Sequence, residues 1–130
     1  MLPIEIRMLA YSATLCLLLA VPYTLGLLLE RGLPTMVGNR EDFPAGRGWI
    51  GRSRRAHLNM VENLLPFAAL VLSVLIANRA SATTALAAQL FFYARLGHAV
   101  VYIAGIPWLR TLAYAAGVVA MVMLLGALLG

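Results

Sequence analysis

The sequence predicts an all-α fold, an integral membrane four-helix bundle, from three observations. Of 130 residues, 62% are hydrophobic and 12% charged, and the mean hydropathy of +0.88 is above what a water-soluble domain of this size shows. Four apolar stretches, at about residues 4–29, 54–77, 82–104 and 108–129, each reach the ~20 residues that cross a hydrocarbon core. Where polar residues interrupt these stretches, they recur at helical and not at alternating spacing. The expected organisation is one transmembrane domain over residues 1–130.

The first span, from Ile4 to Leu29, is interrupted only by Glu5, Arg7 and small polar residues. It is too long for a signal peptide and no A-x-A site follows, so it reads as a membrane helix. Pro22 removes one backbone hydrogen bond and predicts a kink, tolerable where a neighbouring helix covers the freed carbonyl. Cys16 is the single cysteine and lies in an apolar run, which points to an inert buried thiol. Arg31 closes the span, either as a snorkelling interfacial residue or as a cation reaching into a site on an adjacent helix. Residues 31–53, rich in Gly and Pro, read as the one substantial loop. Arg31, Arg40, Arg47, Arg52, Arg54 and Arg55 crowd this connection, against Arg7 and Arg79 on the other side. The positive-inside rule therefore places the loop in the cytoplasm and both termini outside. Trp49 suits a headgroup-level anchor.

The second span starts near Ser53, a plausible N-cap, and ends by Ala77. The turn at residues 78–81 is short enough to force the second and third spans to be antiparallel neighbours. Gly105-Ile106-Pro107 ends the third span and starts the fourth, with Pro107 suited to the first helical position.

Polar residues then pick out one end of the bundle. At 100° per residue, Arg55, Asn59, Glu62 and Pro66 share one face of the second span, and Arg95, His98 and Tyr102 share one face of the third. Arg110, Thr111 and Tyr114 follow at the start of the fourth. Helix direction alone brings these groups to similar depth, and charges at membrane depth turn toward a partner helix or a wet cavity because lipid exposure costs at least ~2.5 kcal/mol each. A frame of helix-fastening ion pairs is the structural reading, and a ligand site the functional one. Arg55, Arg95 and Arg110 against Glu62 leave excess positive charge, which calls for an anionic ligand. Arginine grips carboxylates, Glu62 suits an ammonium, and Asn59 an amide, so a peptide-like zwitterion with extra carboxylates fits. An arginine would also lower the pKa of a nearby thiol. His57 and His98 lack the pattern of a metal site, and arginines scattered between apolar spans, within a net charge of +5, do not make a nucleic-acid surface.

The elements Arg55-x-x-x-Asn59-x-x-Glu62 with Pro66 downstream, Arg95-x-x-His98-x-x-x-Tyr102 and Arg110-Thr111-x-x-Tyr114 closely resemble the MAPEG family, the membrane-associated proteins in eicosanoid and glutathione metabolism. The resemblance covers nearly the whole chain. It implies a homotrimer of four-helix bundles, with glutathione bound between neighbouring subunits and open to the cytoplasmic side. By that resemblance Arg55, Asn59, Glu62, Arg95, His98, Tyr102 and Tyr114 bind glutathione. Arg110 sits by the sulfur with Thr111 as the nearby hydroxyl, and Arg31 and His57 come from the neighbouring subunit. The implied activity is a glutathione-dependent transferase or peroxidase acting on lipophilic electrophiles within the bilayer. Leu58 stands where prostaglandin E synthase has arginine and Asn63 where the leukotriene enzyme has tyrosine, so the chain looks more like the short bacterial members, which would place it in an inner membrane. The alternative is a protein of the same fold that binds a lipid or amphiphile without thiol chemistry. A transporter is disfavoured because no paired broken helices or repeats are visible.

Overall fold

The computed structural model describes residues 1–39 and 46–130; residues 40–45 of the expected loop, Arg40 and Asp42 among them, lie outside the described residues. The order of elements is α1 (Ile4–Arg31), a short α2 (Leu33–Val37), α3 (Gly48–Ile76), α4 (Ala82–Ala104) and α5 (Pro107–Leu129). All but α2 are long and apolar enough to cross a membrane, and the described residues contain no strand.

The third helix differs from its sequence reading. It begins at Gly48, not at Ser53, after an extended Arg47 in the N-cap position. Ser53 is buried inside the helix and its hydroxyl has no partner. The positive φ angles of Gly46 and Gly48 turn the chain into the helix there. The apolar pattern stops where the arginines begin, but arginine is a good helix former and needs no apolar neighbours at a membrane surface. The short α2 occupies part of what reads as loop, with Pro34 in its first turn, where a missing N–H costs no helical bond.

The two described inter-span turns are closed by backbone geometry. Asn78 has a φ of 53°, and the Arg79 N–H donates to the Val74 carbonyl at 2.9 Å while Asn78 N–H donates to Leu75 at 3.1 Å, a Schellman closure. Gly105, at a φ of 84°, repeats it, with Ile106 N–H to Val101 O and Gly105 N–H to Tyr102 O, both 3.0 Å. Ser81 starts α4 with a reciprocal capping box to Thr84.

Tight turns make α3, α4 and α5 successive antiparallel neighbours. Helix α1 runs antiparallel to α3, because Tyr23 stacks on His57 and a side chain at Gly26 would meet Trp49 and Ile50. It packs on α3 and α4, while α5 packs on α4 and α3; α1 and α5 do not meet among the described residues. The centre is formed by Phe67 and Phe91, stacked at 3.7 Å with rings 7° from parallel.

At the end opposite Arg55 and Arg110 lies a polar contact that the apolar pattern does not announce. Glu5, only 4% exposed, accepts a 2.6 Å hydrogen bond from the Thr84 hydroxyl, which also accepts the Ser81 N–H at 2.7 Å. One carboxylate thus serves the first turns of both α1 and α4, where the helix dipole favours negative charge. Thr84→Val keeps the shape but strands a buried carboxylate oxygen and the Ser81 N–H. It should lower stability by about 2 kcal/mol. Ser12→Ala removes a buried hydroxyl that has no partner and should cost nothing. Unfolding of the two variants in detergent checks the contrast, with equal stabilities counting against the role given to Glu5.

Candidate functional site

The site is built around Arg95, midway along α4 and 1% exposed. Its Nη1 donates to Asn59 Oδ1 of α3 at 2.8 Å, and its Nη2 donates to the Tyr114 carbonyl of α5 at 3.1 Å. The guanidinium carbon lies 5.2 Å from the centre of the Tyr114 ring and 5.6 Å from that of Phe91, within cation–π range. One side chain therefore joins three helices. It fits because residue 117 is glycine: a Cβ there would come within 2.4 Å of Nη2. The Arg95 Nε is buried without a partner.

His98, also buried, lies one turn closer to the end of α4, with its ring 5.3 Å from Tyr102 and 6.4 Å from Tyr114. Beyond it, the half-buried Arg110 of α5 lays its guanidinium 4.7 Å over the Tyr102 ring. Asn59, Arg95, His98, Tyr102, Arg110 and Tyr114 thus come together, as helix direction predicts. Arg95, expected among the glutathione-binding residues, is held inside its own chain by hydrogen bonds to two other helices, and His98 is buried beside it.

The other expected residues are placed differently. Arg55 and Glu62 are exposed on α3, because the seam that α3 buries runs through Ala56, Met60, Asn63, Phe67, Val71 and Val74, roughly a third of a turn from the polar stripe. Asn59 stands at the edge nearest the seam, which is why it alone of the stripe reaches Arg95. Thr111 is exposed and its hydroxyl donates to the Pro107 carbonyl at 3.2 Å, the usual back-bond within a helix. Arg31 is exposed at the end of α1. His57, 200° around α3 from Arg55, packs on Tyr23 of α1 and stays outside the cluster.

Sequence reasoning missed Arg52. Its Nε donates to the Ile103 carbonyl at 2.8 Å, and its guanidinium lies against the bare backbone of Gly105. A signal existed: the residue four positions after Ile103 is Pro107, which has no N–H to offer that carbonyl. Among the described residues no group of three or more His, Cys, Asp or Glu could hold a metal ion.

A model of the MAPEG family matches residues 7–130. The chain belongs to the MAPEG family. Members of this family are glutathione-dependent transferases, peroxidases or related proteins. No curated protein and no solved structure matches the chain. In this MAPEG protein all three motifs that carry the resemblance lie at the same end of the bundle, and Arg95 is the link between them.

The seat of Arg95 can be tested against a glycine on the same helix as that arginine. Gly117→Ala forces the guanidinium to shift and should cost about 1–3 kcal/mol through overpacking. At Gly97 a Cβ would meet nothing, so Gly97→Ala should be neutral or slightly stabilising. Thermal unfolding of both in detergent decides it, and a harmless Gly117→Ala would show that Arg95 does not depend on this seat.

Proposed function

We propose that this MAPEG protein is a membrane-bound glutathione-dependent transferase or peroxidase that acts, as a homotrimer, on lipophilic electrophiles entering from the bilayer. The observation that carries the reading is Arg110: half-buried, folded over Tyr102, and among the described residues met by that aromatic face and by no carboxylate. A cation left available in this way suits an anionic sulfur.

The donor set fits glutathione. Arg55 suits a carboxylate, Glu62 the ammonium, and Asn59 keeps its NH2 donors for a peptide carbonyl, since Arg95 occupies its Oδ1. Arg95 acts through Asn59 and Tyr114, which it orients. When bound, glutathione supplies the nucleophilic thiolate. Arg110 stabilises negative charge on that sulfur, and the Tyr102 ring holds the guanidinium in place. Thr111 reaches the sulfur as a donor by rotating off the Pro107 carbonyl. Trp108, 83% exposed, with Leu109 and Leu112, also exposed, offers an apolar approach to the same spot.

The trimer is supported by the exposed stripe of α3. Arg55 and Glu62 would otherwise face lipid at a cost of at least ~2.5 kcal/mol each, and a second copy covers them. His57, which packs on Tyr23 outside the cluster of its own chain, would stand with Arg31 beside a neighbour's cluster. The arginines between α1 and α3 support a cytoplasmic position for this end by the positive-inside rule.

Titration of the purified protein with glutathione tests the first step, and the absence of saturable binding up to millimolar thiol would overturn the reading. Arg110→Leu should leave assembly intact and raise the pKa of the bound thiol toward the ~8.5 of a free one. Removing the cation disfavours the charged form, so both the ultraviolet thiolate titration and the rate profile move to higher pH. At neutral pH the rate should fall at least tenfold more than the affinity. Cross-linking that yields only monomer would contradict the shared site.

A further inference from the structure

Residues 105–107 decide where Arg110 stands, because α5 begins at Pro107 and Arg110 lies in its first turn. The carbonyls at the end of α4 lack intrahelical partners. Val101 and Tyr102 find theirs in the turn itself. Ile103 finds its own in a different helix, α3, through the 2.8 Å bond from Arg52 Nε. The contact is confined on the other side as well: a Cβ on Gly105 would lie 3.4 Å from Arg52 Nε and 3.5 Å from its guanidinium carbon. A side chain on α3 thus supplies the donor that Pro107 lacks, and the turn is bare of side chain where the guanidinium packs against it. A cation near a helix C-terminus is also favoured by the helix dipole.

We propose that Arg52 is a positioning residue for Arg110: by fastening the start of α3 to the α4–α5 turn, it sets the register between the Arg55–Asn59 face and the Arg110 guanidinium. The catalytic meaning rests on the glutathione reading above, whereas the fastening itself does not. Arg52 would touch neither glutathione nor the electrophile. Its effect would pass through the turn to Arg110, so it would disappear once Arg110 is gone.

The experiment compares full-length wild type, Arg52→Leu, Arg52→Lys, Arg110→Leu and the Arg52→Leu/Arg110→Leu double variant in detergent. Two readouts are taken: amide hydrogen exchange, and the ultraviolet titration of glutathione thiolate. In Arg52→Leu, the amides of residues 105–111 should exchange at least tenfold faster while those around Phe67 and Phe91 keep wild-type protection. The thiolate titration should move to higher pH by a substantial part of the Arg110→Leu shift, and Arg52→Lys, which restores a donor, should recover part of it. In the Arg110→Leu background, Arg52→Leu should add nothing. Faster exchange throughout the molecule would make Arg52 a general stabiliser and overturn the proposal, as would wild-type exchange in the turn. Additive titration shifts would place Arg52 on the ligand itself and overturn it too. Were wild type to bind no glutathione, the glutathione reading would fall, and the exchange pattern alone would uphold or reject the fastening.

Discussion

A guanidinium stays in the middle of a membrane bundle only if the protein supplies what water would have supplied. For Arg95 this chain meets that condition at both terminal nitrogens, with one side-chain acceptor from α3 and one backbone acceptor from α5, and sets aromatic faces around the guanidinium, leaving Nε alone unpaired. Breaking a buried polar arrangement by removing one partner is costly, whereas an apolar replacement of the whole is often neutral or better. Its contribution is therefore register more than stability. Asn59, Tyr114 and Gly117 must stand where they do for Arg95 to be tolerated, and α3, α4 and α5 are aligned with one another as a result.

The two ends of the bundle use opposite logic. At the α1 and α4 N-termini a carboxylate, Glu5, is buried and tied to the Thr84 hydroxyl, which fastens the two helices together. At the other end the N-termini of α3 and α5 add their positive dipole ends to a set of arginines, and Glu62 stands exposed on α3. Arg110 and Thr111 lie in the first turn of α5, where the unpaired N–H groups and the dipole favour an anion. Polar groups are thus spent on structure at one end and kept available at the other.

The sequence shows the spans and the shared depth of the three motifs because both follow from period and direction, which a single helix carries within itself. Gly105 and Pro107 mark their turn for the same reason. What it does not show is rotation. Arg95 and Glu62 read alike, as charges on a polar face of an apolar helix, yet one is enclosed and the other exposed. The difference comes from the small and apolar seam of α3, whose contacts with other helices set how that helix is turned. Glu5 reads as an interruption, Arg52 as one topogenic arginine among several, and Gly117 as one small residue in an apolar run. Each gains its meaning from a partner on a different helix, 79, 51 and 22 positions away in sequence.

Depth explains why the arginines are treated so differently. Arg95 is nine residues from the end of α4, about 14 Å at the helical rise, whereas Arg110 is three residues into α5, about 5 Å. The cost of an unpaired charge falls steeply toward the membrane surface, so Arg95 needs its hydrogen bonds and Arg110 can do without a carboxylate. Arg110 also has the Tyr102 ring beside it, its guanidinium carbon 4.7 Å from the ring centre, a cation–π contact that holds the charge near the membrane surface. On the proposed function, a cation held over an aromatic face at the boundary between water and hydrocarbon would lie where a polar thiol arriving from one side and an apolar electrophile arriving from the other meet.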